Sequence, residues 1–153
     1  MHFEDLDRGE LIALIGGALL GVSLFLHWFA LGNANAMLAS CRGPNTGCTG
    51  WQGLPVLRWV LLVAAAAPII LAYIILRGHA LSWPRGELTA VTSLVALTIT
   101  IFVGVLDKPG SPRGEISLGV GWFVALGAGI LILIGSIWRT QESATQRKPP
   151  GVL

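Results

Sequence analysis

This chain is poor in charge. Only 12% of its 153 residues are Asp, Glu, Lys or Arg, while 54% are hydrophobic and the mean hydropathy is +0.73. A water-soluble domain carries roughly a quarter charged residues, so half that share leaves too little polar surface to coat a soluble globule. Chemistry-bearing residues are scarce as well: two cysteines, three histidines and one tyrosine. The sequence has no Ser/His/Asp grouping, no phosphate-cradling glycine loop and no zinc spacing. His2, His27 and His79 fall at different expected depths, so no two of them can share a haem. No ionisable residue stands in the middle of a long apolar run, which argues against an ion or proton pathway. Small multidrug exporters need a carboxylate embedded in their first helix; here Glu10 stands at the edge of the first run. The expectation is a protein that is not an enzyme, with no catalytic residue, metal or cofactor and no nucleic-acid partner.

What the chain has is long apolar runs. Four of them, Leu11–Leu31, Pro55–Leu76, Leu88–Leu106 and Ile116–Trp138, approach or exceed the ~20 residues that cross a ~30 Å hydrocarbon core. They predict an all-α fold, a left-handed four-helix transmembrane bundle over 11–138. A cytoplasmic segment (1–10) precedes it and a cytoplasmic tail (139–153) follows. The first run resembles a secretory signal, with Ala34-Asn35-Ala36 as a small-x-small site. However, its leading segment is acidic (Glu4, Asp5, Asp7) and the run exceeds the usual 7–15 residues, so a retained helix is expected. Six of the ten Lys and Arg residues (Arg8, Arg77, Arg85, Arg139, Arg147, Lys148) fall on the side that holds both termini; Arg42, Arg58, Lys108 and Arg113 fall opposite. That bias places both termini in the cytoplasm.

Cys41 and Cys48 then lie in the first outer loop, where a disulfide persists. They enclose the six residues of "RGPNTG", a ring rich in turn formers whose closure stabilises by about 2–3 kcal/mol. The quinone-linked thiol oxidoreductases use a C-x-x-C pair and further relay cysteines, which this spacing does not supply. A structural bridge is expected. All six tryptophans fall near run ends, Trp28, Trp51, Trp59 and Trp122 on the outer side, Trp83 and Trp138 on the inner, where indoles anchor in headgroups.

The triplet Arg-Gly-Glu opens three of the runs, at Arg8–Glu10, Arg85–Glu87 and Arg113–Glu115. A carboxylate there meets the unpaired N–H groups and positive dipole end of a helix start, so each copy is expected to begin a helix. Small residues should mark the helix contacts, because lipid supplies little hydrophobic force between helices. Gly17 and Gly21 form a Gly-x-x-x-Gly pair in the first run. Gly121 and Ala125 open a small-residue face in the fourth, continued by Ala128, Gly135 and Ser136. Thr89, Ser93 and Thr100 form a polar stripe on the third with Thr92 and Ala96, facing either a neighbouring helix or a cavity. Pro68 cannot donate to Ala64 and is expected to kink the second. Arg58, one turn into that run, is expected to pair with Asp107 at the same end; its alternative is a lipid phosphate.

The stretch "RGELIALIGGALLGVSLFLHWF", a short loop and "GWQGLPVLRWVLLVAAAAP" resembles small four-helix membrane proteins of actinobacteria. Trp28 and Trp51 fit that pattern, while His27 stands where those proteins have proline. The resemblance implies a bacterial inner-membrane location and no activity. Taken together these features point to an accessory or scaffolding subunit that packs against lipids and other membrane subunits. The rival is a small oligomeric transporter, channel or lipid-binding protein with the Thr/Ser stripe facing a cavity.

Overall fold

The structure is a computed structural model that describes residues 8–32, 38, 41, 47–77 and 85–146. The chain is mostly helical. In order come α1 (Arg8–Ser23), β1 (His27–Leu31), β2 (Gly47–Thr49), α2 (Gly50–Gly53), α3 (Leu57–Leu76), α4 (Arg85–Ile101), β3 (Ile116–Leu118) and α5 (Val120–Gln146). Among the described residues three helical spans, Leu57–Leu76, Glu87–Leu106 and Val120–Gln141, are long and apolar enough to cross a membrane. Trp83, His2, His79, Ala34–Ala36, Arg42, Arg147 and Lys148 lie outside the described residues.

The all-α expectation is corrected by a small antiparallel sheet of order β2-β1-β3. The first apolar run is not one helix over 11–31. Its helix ends at Ser23, whose hydroxyl donates to Leu20 O (2.6 Å), and Phe25 and Leu26 close tight turns onto Val22 and Ser23. The remaining "HWFAL" is aromatic-rich and takes a strand, pairing with β2 on one side and β3 on the other. At 16 residues α1 is about 24 Å long, short of the ~30 Å a span needs. The fourth run divides likewise: Ile116–Leu118 is β3, and α5 starts at Val120 and continues to Gln146, past the expected tail boundary at 139. The third run begins at Arg85 and passes through a π-helical turn, Phe102–Leu106, where Asp107 N reaches Phe102 O (2.9 Å). The third Arg-Gly-Glu therefore starts no long helix. Arg113–Glu115 is a single 3₁₀ turn leading into β3.

Close approach of backbones sets the helix order. α1 lies between α5 and α3, and α4 packs on α5 and on α3. At Gly9 an added Cβ would stand 2.7 Å from Gly135 O, and at Gly16 it would stand 2.9 Å from Ala128 O, so α1 and α5 touch through main chain. Gly17 does the same against α3, where its Cβ would lie 2.6 Å from Pro68 Cγ and 2.7 Å from Ala65 O. Gly21 is looser, with only Ala65 Cβ at 3.9 Å. Ala125 and Ala128 are buried, as a packing face requires. Gly121 is buried against a different neighbour: it makes room for Trp28 of β1 rather than for another helix.

Candidate functional site

Two groups of polar side chains stand out, one at each end of the packed helices. The first is where α1 begins and α5 nears its end. Glu10 lies in the first turn of α1, next in sequence to the close Gly9–Gly135 contact. Arg139 on α5 donates to Glu10 Oε1, and the two side chains are 7% (Glu10) and 9% (Arg139) exposed. One turn before Arg139, Ser136 shares a 2.7 Å hydrogen bond with Thr89 of α4. A gap of about 10 Å³ lies between Glu10, Pro68, Ala72, Thr89 and Arg139, room for one water at most. Glu10, expected only to stabilise a helix start, is thus half of a buried ion pair. Arg139, expected in the tail, is the other half.

The α4 stripe is buried, with Thr89, Ser93, Ala96 and Thr100 each at most 1% exposed. Thr100 donates to Ala96 O (2.7 Å) and the half-buried Thr92 to Thr89 O (3.0 Å), the back-bonding that lets a hydroxyl sit inside a helix pair. Thr98, on the opposite side, satisfies itself on Leu94 O (2.8 Å). Ser93 Oγ has no partner among the described residues. The arrangement holds helices together, and its hydroxyls are largely committed to protein acceptors.

The second group is at the sheet end. Cys41 and Cys48 form the expected disulfide, with Cα atoms 5.8 Å apart, and Cys48 lies fully buried in β2 beside Phe29. Trp28 and Trp122 are not headgroup anchors. Trp28 is fully buried and its indole donates to Ser23 O (2.7 Å); Trp122 is buried and donates to Thr100 O (2.8 Å). A π turn leaves a carbonyl without its regular donor, and an inserted indole is one way to satisfy such a group. Gly104, in that turn, leaves the space Trp122 occupies. Trp59 and Trp138 do remain about half exposed, at 54% and 48%, as anchors would be.

Arg58 and Asp107 are not brought together. Asp107 accepts from Arg113 (2.8 Å) instead, six residues along its own loop, on an exposed surface. Arg58 turns the other way. Its Nη1 donates to Trp51 O (3.0 Å), and its guanidinium carbon lies 4.8 Å from the Trp51 ring centroid and 5.4 Å from that of Trp59. Two aromatic faces within reach outcompete a carboxylate that a nearer arginine already holds. His27 is exposed at the start of β1 and covers Gly47 of β2.

Among the described residues no cluster of His, Cys, Asp and Glu could hold a metal ion. Comparison with protein-family models, with characterised proteins and with solved structures finds no match to this chain.

Proposed function

We propose that this is a non-enzymatic integral membrane protein of a bacterial inner membrane, a four-helix bundle that serves as an accessory or scaffolding subunit of a larger membrane complex. The observation that carries the reading is the outward face of α5. Val120, Phe123, Gly127, Ile130, Ile134 and Ile137 repeat at alternating three- and four-residue spacing, and all are exposed. That spacing is the seam along which one helix packs on another. In its middle Gly127 stands open, with nothing within 4 Å of where a Cβ would be, and an open glycine lets a partner backbone come close. A lipid tail needs no such notch. The α4 hydroxyls, buried and mostly bonded to protein, favour this subunit role over a solute conduit.

Purification in mild detergent tests the proposal. The wild-type chain should come out in a stable heteromeric complex, and Gly127→Leu should release it as a folded, single component. A homo-oligomer that passes solute, or a wild-type monomer without partners, overturns the reading. The proposed orientation has both termini in the cytoplasm and the sheet end outside; α1 crosses together with the turn and strand that continue it, so its 16 helical residues do not span the core alone. A single cysteine at Ser111 in a chain lacking its native pair should then react with an impermeant thiol reagent in intact cells, and labelling only after permeabilisation reverses the topology.

A further inference from the structure

Among the described residues, the sheet end carries a cation with no carboxylate partner. Arg58 stands in the first turn of α3, and its backbone N–H is already bonded to Leu54 O (3.0 Å). Its Nη1 is committed to Trp51 O, but its Nε is buried and has no acceptor among the described residues. Asp107, the carboxylate expected for it, is held by Arg113. A guanidinium presents five N–H donors in a planar fork, so among the described residues the charge and most of that fork are left without an anion.

The surroundings are rigid and aromatic. Trp51 N donates to Leu24 O (2.7 Å), which fixes the short α2 to the end of α1. Phe25 stacks on Trp51 at 5.4 Å, and Trp51 meets Trp59 edge-on at 5.6 Å. Phe25 and Trp59 are exposed, at 62% and 54%. Below Trp59 on the same face of α3, Val63 and Ile70 are exposed too, four and eleven residues further on. From the end of the helix inward, a ligand would meet an unneutralised cation, then a ledge of indole and phenyl rings, then a bare aliphatic surface. An anionic phospholipid has that order of chemistry: a phosphodiester, glycerol esters and acyl chains. Indoles prefer the ester level, and the outer Nη edge of a guanidinium, the edge away from the buried Nε, can meet phosphate oxygens bidentately.

We propose that Arg58, Trp51 and Trp59 form a headgroup site for an anionic glycerophospholipid, an inference that rests on the membrane reading given above. Arg58 holds the phosphate, the two tryptophans pre-orient the guanidinium by covering it, and Val63 and Ile70 carry an acyl chain. A choline or ethanolamine headgroup would bring a second cation to the fork, so an uncharged glycerol headgroup is preferred.

The test uses the full chain in a neutral detergent, with lipid binding read by native mass spectrometry. Phosphatidylglycerol should bind about tenfold more tightly than phosphatidylcholine, whose own choline cation opposes the guanidinium at the phosphate. Arg58→Gln should erase that preference, and Arg58→Lys, which keeps the charge but not the fork, should keep part of it. Arg113→Gln, which removes another cation from the same end, should change it by less than about twofold. Retention of the preference in Arg58→Gln, or an equal loss in Arg113→Gln, overturns the site. Displacement of the lipid by inorganic phosphate at the same concentration overturns the lipid as occupant and leaves a free-phosphate site. Flotation with vesicles of phosphatidylcholine alone separates the two readings. A chain that inserts there yet shows no preference sinks only the headgroup site, whereas one that fails to insert sinks the membrane reading beneath it.

Discussion

The two ends of the packed helices are closed by different physics. At the sheet end three strands, a disulfide and two buried indoles do the work, and nearly every polar contact ends on a backbone carbonyl: Trp28 on Ser23, Trp122 on Thr100, Ser117 on Ala30, Lys108 on Ile116. At the opposite end α1 and α5 close on each other through glycine, and the polar contacts run side chain to side chain, Glu10 with Arg139 and Thr89 with Ser136. The first arrangement spreads its stabilisation over many modest contacts and tolerates the loss of any one. The second concentrates it in a charge pair whose halves depend on each other. Loss of Arg139 strands the buried Glu10 carboxylate, which costs far more than the intact pair contributes.

Breaking the charge pair should therefore give the largest effect. Arg139→Gln or Glu10→Gln alone should destabilise unevenly. Arg139→Gln leaves an ionised Glu10 buried and should cost about 3–5 kcal/mol, read as unfolding of the detergent-solubilised protein by denaturant. Glu10→Gln should cost less, because Arg139 has a further interaction besides Glu10. The double change Glu10→Gln with Arg139→Met should recover much of the loss, because neither charge then remains. A double variant as unstable as the worse single one would show that the pair is not what holds this end.

The sheet end should respond more mildly. Serine at both Cys41 and Cys48 should lower stability by about 2–3 kcal/mol, the contribution of a short closed ring, with helical circular dichroism unchanged. The loss should be matched by reduction of the wild-type protein. If the variant loses helix content as well, the disulfide supports α1 and α5 directly and the two ends are not separate. Transfer of electrons and protons from the reduced pair to a quinone, with the disulfide re-formed, would instead give it a redox role.

The helices were legible because apolar runs of membrane length leave few alternatives, and Gly17, Ala125 and the α4 stripe follow from helical periodicity alone. The sheet was not. His27–Leu31 and Ile116–Leu118 are as apolar as the helices they adjoin, and a short buried strand has no period that separates it from the end of a helix. Trp28 and Trp122 misled for a related reason: an indole near a run end looks the same whether it faces headgroups or protein. The Glu10–Arg139 pair is 129 residues apart in sequence, and Arg139 lay one residue beyond the expected span. Composition shows that Glu10 starts a helix; only the packing of α1 on α5 shows what it meets there.

The smallest effect tests a pairing that the sequence suggested and the fold replaces. A double-mutant cycle on Arg58→Gln and Asp107→Asn should return a coupling below about 0.3 kcal/mol. Arg58 is turned toward Trp51 and Trp59, while Asp107 is bonded to Arg113. The cycle on Asp107→Asn and Arg113→Gln should return more, yet only about 0.2–1 kcal/mol. Those side chains are 56% and 66% exposed, so water and salt screen their attraction. Raising the ionic strength should shrink the second coupling and leave the first at zero. An Arg58–Asp107 coupling above about 0.5 kcal/mol would restore the pair, close the sheet end by charge as the opposite end is closed, and leave no free guanidinium for a lipid phosphate.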